Sequence, residues 1–369
     1  MTKPVIYILE PSKVGVQHLT FLESYLQTFL STKRVSNIFD INFVASKKTI
    51  DKLDKSKLNL LKFKSILVID PLKRRLVLKT IIEAWQVLKL ILTKKRGDKL
   101  FITCLLPTSF ILIEQINRFL RRTGIFVVLH GEIESLFDNS DQSILRIGWW
   151  SRLWWKSRPL SSKIKLIVID DFIKDGLDNI CNHSIDITVV HHPIIPIKRD
   201  EPKNLIPKIC FVGYRTRNKG YKEFLTLAEK HPKLEFLAIG GEVVENIRTG
   251  EIDILETHDD YLDAISSCTL AIFMYTEGYQ ATLSAAALDA LKVGVPILAL
   301  DRPFFISTSN HLGDKLVAVR KNFSQVSEYL INLEYSISQR SESNTLIMQS
   351  KYSMKTIAKT LDKIFLGDE

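Results

Sequence analysis

Little in this sequence invites a metal ion, a bilayer core or a nicotinamide cofactor. Its 369 residues include four cysteines, Cys104, Cys181, Cys210 and Cys268, and no two share a metal-type spacing. Three lie in or beside apolar, strand-like runs, where a reduced and buried thiol is expected. No uninterrupted apolar run reaches transmembrane length. The N-terminus goes straight into a strand pattern, PVIYILEP, without the basic segment and apolar core of a signal peptide, so a cytoplasmic protein is expected. No G-x-G-x-x-G follows that first strand, which argues against a dehydrogenase. No suitably placed D-x-D triplet and no His/Asp/Glu cluster stands out, so neither a metal nor another cofactor is expected.

Acidic charge is also scarce. The net charge is +10, and the excess is concentrated in the first half. Lys73 to Lys99 holds nine Lys/Arg against two acids, and Asp141 to Lys165 holds six against one. Such a surface suits a polyanion, either nucleic acid or an acidic lipid leaflet.

What is present is a repeated alternation of short apolar runs with longer amphipathic ones. Strands are expected at 5–9, 41–45, 65–69, 99–106, 125–130, 165–169 and 187–191. A second series is expected at 208–213, 234–240, 253–257, 269–275, 295–300 and 315–319. Several runs are apolar throughout, as in parallel strands covered on both faces. The pattern predicts an α/β fold built twice, with right-handed crossovers. Four prolines, Pro193, Pro196, Pro202 and Pro207, break it between the two series. Residues 1–193 are read as one domain, 194–207 as a linker and 208–344 as a second domain. Residues 345–369 are read as a C-terminal helical segment, continuous over Thr345 to Phe365, that packs back on the first domain.

Two stretches of the second domain carry chemistry. In FVGYRTRNKGYKEFL (211–225) a strand ends at Gly213 and a helix begins near Gly220. Arg215, Arg217 and Lys219 are thereby held at the C-terminal edge of a parallel sheet, where open α/β sheets bind ligands. Three cations there match a diphosphate better than a carboxylate. In EGYQATLSAAALDALKVGVPILAL (277–300), Ser284 and the small residues after it open a helix whose first N–H groups point outward. Such a helix start suits a phosphate. In the first domain His130 ends the apolar strand IFVVLH and is followed by Gly131 and Glu132, so it projects from the corresponding sheet edge. In a reaction that inverts configuration, His130 or a nearby carboxylate, including Glu134, can serve as general base on a hydroxyl. Glu10, Gly15, His18 and Glu132 can line an acceptor side.

With these motifs the chain resembles the GT-B glycosyltransferases of the retaining, family-4-like type found in bacterial surface polysaccharide assembly. The resemblance is carried by G-x5-K-G at Gly213, Lys219 and Gly220, and by E-G-Y at Glu277 to Tyr279. It is carried further by D-A-L-x-x-G-V-P-I at Asp289 to Ile297 and by the glycine-containing first loop, EPSKVGVQH (10–18). It implies two Rossmann-like domains facing across a cleft, the first for the acceptor and the second for a nucleotide-sugar. It also implies that the basic loop binds the donor diphosphate, that His130 and Glu277 contact the transferred sugar, and that Asp289 holds the ribose. The resembled enzymes generally need no bound metal. Tyr214 and Ala281 stand where that family has an arginine and a glutamate, so two other readings stay open: a sugar-nucleotide epimerase and a non-catalytic binding subunit.

The last cluster is RIGWWSRLWWKSRPLSSK (146–163), where Trp149, Trp150, Trp154 and Trp155 interleave with cations such as Arg152 and Lys156. Tryptophan favours the lipid headgroup zone and cations favour acidic lipids, so this stretch is expected to hold the protein on the inner face of the cell membrane. The upstream stretch 72–96 adds Trp85 and further cations. Packing between helices is the alternative for these tryptophans. No nucleic-acid fold signature accompanies them, so no nucleic-acid partner is expected. The oligomeric state is not readable.

Overall fold

The structure is a computed structural model. It describes all residues except 1–2, 16–17, 70–75, 138–152, 158–162, 182–185, 200–205, 334–339 and 368–369. The chain divides into two compact units: Met1–Pro193 with Met354–Glu369, and Ile194–Ser353.

The first unit is built on a seven-stranded, wholly parallel sheet. Its strands are β1 (Val5–Leu9), β2 (Asp40–Ser46), β3 (Lys62–Ile66), β4 (Lys99–Ile102), β5 (Ile125–Leu129), β6 (Ile164–Val168) and β7 (Ile187–Val189). Their spatial order is β3-β2-β1-β4-β5-β6-β7. The central strands are buried along nearly their whole length, as their unbroken apolar sequences require. β3 lies nearer the N-terminus than the apolar run at 65–69. It is an edge strand, KFKSI, with little burial, so hydrophobicity does not mark it. The helix Met354–Leu366 closes this unit, its Phe365 ring lying 4.8 Å from Phe126 and 5.6 Å from Phe29.

The second unit holds β8 (Lys208–Val212), β9 (Glu235–Gly240), β10 (Val243–Asn246), β11 (Ile252–Ile254), β12 (Leu270–Phe273), β13 (Ile297–Leu300) and β14 (Val317–Arg320). Their order is β11-β10-β9-β8-β12-β13-β14. Five strands are parallel, while β10 and β11 add an antiparallel edge. β10 escapes the sequence pattern because only two of its four residues are apolar. It is set by the tight turn at Gly241–Glu242, which pairs Val243 with Gly240. Phe211, Phe224 and Phe236 centre the core of this unit.

The expected single helix from Thr345 to Phe365 is two helices, Arg340–Gln349 and Met354–Leu366. The break has a cause. The Ser350 hydroxyl accepts from the Tyr352 N–H, Tyr352 is fully buried, and its carbonyl accepts from the Ile194 N–H. The proline-rich stretch is likewise anchored where it is described, with the Ile197 N–H donating to the Lys292 carbonyl.

In each sheet the strand order reverses at one point, between β1 and β4 in the first and between β8 and β12 in the second. Side chains just past the C-terminal ends of those strands flank a crevice, the usual ligand position in such folds.

Candidate functional site

At the first reversal point the chain gathers carboxylates and imidazoles. Glu10 follows β1, Thr103 and Cys104 follow β4, and His130 and Glu132 follow β5. Glu10 is fully buried and accepts from the Ser12 and Lys13 N–H groups (each 3.0 Å) and from the Thr103 hydroxyl (2.9 Å). Burial opposes its ionisation, but His18 (Nδ1 at 3.4 Å), Ser12 and Thr103 outweigh it and hold the carboxyl below its usual range. His18 occupies the left-handed region, φ 64°, at the entry to the helix Leu19–Ser31. That places its ring 4.7 Å from the His130 ring. Gly15 is fixed nearby through its N–H to the Thr49 hydroxyl (3.1 Å).

His130 stacks on Phe21 at 5.0 Å, and its Nε2–H donates to the Thr103 carbonyl at 3.1 Å. Burial pushes its pKa down to about 4, with His18 and Lys13 adding to the effect against the opposing charge of Glu132. The ring is therefore neutral at neutral pH, with Nδ1 a bare acceptor. Glu132 Oε1 is ion-paired with Lys13. Glu132 Oε2 lies 3.8 Å from His130 Nδ1 and has no hydrogen-bond partner among the described residues, although the side chain is only 7% exposed. Burial opposes ionisation of Glu132, and His130 and Lys13 overcome it, so the carboxyl titrates below its usual range. An ionised oxygen and a bare ring nitrogen this close can together receive one hydroxyl group and its proton.

Among the described residues, two groups of side chains have ligand atoms close enough for a cation. His18, Cys104, His130 and Glu132 lie within 4.8 Å of one another, as do Asp170, Asp171 and His191. In the first group burial drives the Cys104 thiol far up in pKa, and the Lys13 ammonium already meets Glu132. A protonated thiol and an adjacent ammonium make a poor metal site. In the second, His191 Nε2 pairs with Asp171 at 3.0 Å.

At the second reversal point the chain gathers cations and free amides. Gly213 (φ 113°) ends β8, and a β-carbon placed on it would lie 3.0 Å from Lys219 Nζ and 3.8 Å from the Ala286 β-carbon. The cation and the mouth of the helix Ala285–Lys292 therefore converge on one spot. Lys219 is lowered in pKa by burial and has no carboxylate partner among the described residues. Its Nζ lies 5.8 Å from the Tyr214 ring and 6.0 Å from the Tyr275 ring. Gly220 (φ 74°) lets the basic loop close against β12, since a β-carbon there would sit 2.1 Å from the Met274 carbonyl oxygen. The Thr276 N–H donates to the Asn218 carbonyl at 3.0 Å, tying this loop to the one that carries Glu277.

The Ser284 hydroxyl caps its helix by accepting from the Ala287 N–H (3.2 Å) and lies 2.7 Å from the Tyr275 hydroxyl. The serine is consumed by capping, and the helix-mouth amides of Ala285 and Ala286 remain to receive an anion. Arg217 is exposed beside Lys219. Arg215 departs from the expected trio: it pairs with Glu245 on β10 and lies over the Tyr221 ring at 5.6 Å. Asp289 is buried inside the helix Ala285–Lys292, 4.0 Å from Lys292. Glu277 is exposed, followed by Gly278 (φ 73°) and Tyr279 (φ 61°). A tyrosine in that region is strained. It is held by stacking on Tyr275 at 4.0 Å, and Arg302 braces the loop by donating to the Tyr275 and Thr276 carbonyls. Tyr275, Arg302 and Glu245 carry no sequence motif and were missed for that reason.

The sequence also places Trp155 among lipid-facing side chains, and the structure corrects this. Trp155 is completely buried and stacks on Phe110 at 5.2 Å, with Trp154 crossing it edge-on. Lys156 is exposed. Trp149, Trp150 and Arg152 lie outside the described residues.

Two switch-point crevices on two α/β units define the GT-B architecture, and solved glycosyltransferases share it. HepE of Anabaena, in a structure with UDP-glucose, is similar with a TM-score of 0.63 over 98% of this chain and 100% of its own, at 9% identity. TarM of S. aureus is similar with a TM-score of 0.66 over 99% of each chain, at 11% identity. A glycosyltransferase of Rickettsia africae gives 0.59 over all of both chains, at 10% identity. These likenesses are of fold. No family model matches the sequence, and no curated protein matches it.

Proposed function

We propose that the chain is a metal-independent glycosyltransferase that moves a sugar from a nucleotide-sugar donor to a hydroxyl of a glycan or lipid-linked acceptor in cell-surface polysaccharide assembly. One observation carries the reading: the partly buried ammonium of Lys219, without a carboxylate partner among the described residues, and the mouth of the helix Ala285–Lys292 converge at Gly213. A partly buried cation without a carboxylate is costly unless an anion completes it. The helix amides add a second attraction at the same place. A pyrophosphate meets both, and Arg217 at the loop surface adds a third positive group. These groups stabilise the departing nucleoside diphosphate without a metal ion.

In the first unit the neutral His130 and the ionised Glu132 supply the acceptors for a sugar hydroxyl. His18 and Lys13, both partly exposed, border them. Glu277 stands exposed for the transferred sugar, and the Tyr275–Tyr279 stack sets its loop. UDP is the first nucleotide to test, because HepE was solved with UDP-glucose.

Calorimetric titration with UDP tests the reading. The unaltered chain is expected to bind, and Arg217→Ala/Lys219→Ala is expected to abolish binding. Equal affinity in the two proteins would overturn the donor assignment. Release of free UDP only when a glycan acceptor is present separates transfer from epimerisation, which yields an isomer and no free nucleotide.

A further inference from the structure

The helices Leu76–Thr93 and Pro107–Leu120 pack side by side in the first unit. The Thr80 and Thr108 hydroxyls meet at 2.8 Å near one end, and Lys94 Nζ donates to the Thr123 carbonyl at 2.8 Å at the other. The pair is therefore parallel and in register, with residues near 85 level with those near 113. Its inner face is buried, with Ala84, Val87, Ile91, Phe110 and Ile113 around a few enclosed polar side chains. Glu83 accepts from the Ser12 and Ser109 hydroxyls and from the Leu106 N–H.

The outer face is apolar. Val77, Ile81 and Trp85, spaced i, i+4, i+8, are 68%, 55% and 61% exposed. Leu92 continues the face, and Leu112 and Phe119 (87% exposed) stand at the matching levels of the second helix. Val77, Ile81, Trp85 and Leu92 fall within one arc of the first helix, a row of large exposed side chains rather than scattered single residues.

The charge around the strip has one sign. Between residues 76 and 124 all three acids, Glu83, Asp98 and Glu114, are buried. The exposed charges are Lys89, Lys95, Arg96, Arg118, Arg121 and Arg122, all cations. The last five cluster at the end where the two helices meet. By contrast, the exposed pair Ile252 and Ile254 on edge strand β11 is interleaved with Glu251, Asp253 and Glu256. An anionic surface attracts the first patch and repels the second.

We propose that the outer face of these two helices is a membrane-docking surface for an anionic lipid leaflet. Ile81, Trp85 and Phe119 enter the headgroup zone, and the cations of the helix ends meet lipid phosphates. An amphipathic helix with tryptophan on one side and only basic charge at its border has the physical form of an interfacial helix. The surface lies on the 72–96 stretch that the sequence adds with Trp85, and on its neighbour helix, rather than on 146–163, where Trp155 is buried. It rests on the reading that the acceptor is held at a membrane, and it requires nothing of the nucleotide site.

Sedimentation of the full chain with vesicles tests it. Binding is expected to vesicles of phosphatidylcholine mixed with phosphatidylglycerol at low salt, with release as salt is raised and little binding to phosphatidylcholine alone. Ile81→Ser/Trp85→Ser should weaken partitioning by about a hundredfold or more, since two large apolar side chains then no longer leave water. Arg121→Glu/Arg122→Glu should remove the response to phosphatidylglycerol. Ile252→Ser/Ile254→Ser should change neither. Both residues of the apolar variant are exposed, so its thermal melt should match that of the unaltered chain, and so should UDP affinity, if the donor reading holds. Absent sedimentation at low salt, or unchanged partitioning of the Ile81/Trp85 variant, overturns the proposal. A dimer lost in that variant without any vesicle binding overturns it in favour of self-association. Loss of UDP binding with vesicle binding intact faults the donor reading alone.

Discussion

The two sheet edges solve opposite electrostatic problems with the same topology. At the first, each buried charge has an internal answer: Glu10 has His18 and two backbone amides, and Glu132 has Lys13. What is left over is one carboxylate oxygen and one neutral ring nitrogen. At the second edge the surplus is positive, with Lys219 beside helix amides and without a carboxylate partner among the described residues. One edge thus lacks only a donor of hydrogen bonds, and the other lacks an anion. On the proposed reading, the closed balance would serve proton handling and the open one the binding of a leaving group.

Substitutions can break this contrast. The largest effect is expected at the first edge: His130→Asn or Glu132→Gln should lower turnover by about 10²–10⁴-fold, as loss of a general base does. UDP affinity, measured by calorimetry, should stay unchanged. A matching fall in UDP affinity would merge the two roles and defeat the comparison. Next, Lys219→Ala alone should weaken UDP binding by roughly 100-fold, as lost charge-assisted contacts of about 1.5–3 kcal/mol allow. Turnover at saturating donor should fall less than in the His130 variant.

The acid limb of the pH–rate profile sharpens the contrast further. The depressed pKa of His130 keeps the ring neutral down to about pH 4, so activity should persist well below the ordinary histidine range. In stability the sign is the same. The unfolded chain binds this proton first, so its contribution is present above the normal histidine pKa and is lost as pH falls toward 4. Glu83 behaves inversely. Burial raises its pKa to about 7 against the opposing hydrogen bonds of Ser12 and Leu106. Its contribution is present below the normal carboxylate range and is lost as pH rises through 7. Glu83→Gln should therefore raise stability at pH 8 by about 1 kcal/mol and flatten that dependence, read by denaturant titration at several pH values. The smallest effect belongs to Tyr275→Phe, which removes the contact to Ser284. It should cost about 1 kcal/mol of stability and a few-fold in UDP affinity.

Much of this was legible in the sequence for a physical reason. Parallel strands covered on both faces must be apolar throughout, so β1, β5, β8 and β13 announce themselves. The glycine stops and the small residues after Ser284 did the same for the helix mouth. The edge elements were not legible, because β3 and β10 bury little and their pairing, not their composition, makes them strands. Arg215 reads as a free cation until Glu245, thirty residues on, is brought beside it. Trp155 reads as a lipid anchor until Phe110, distant in sequence, covers it. Tyr275 and Arg302 have no local signature, since each matters only through the loop it holds. In each case the deciding partner comes from another element of the fold.

The backbone hydrogen bond from the Thr276 N–H to the Asn218 carbonyl has a mechanical consequence. The segment that carries the ammonium and the segment that carries Glu277 cannot shift separately without breaking it. On the proposed donor reading, a phosphate that tugs on one of these loops would drag the other, and departure of the nucleotide and release of the sugar's surroundings would be geared to a single displacement.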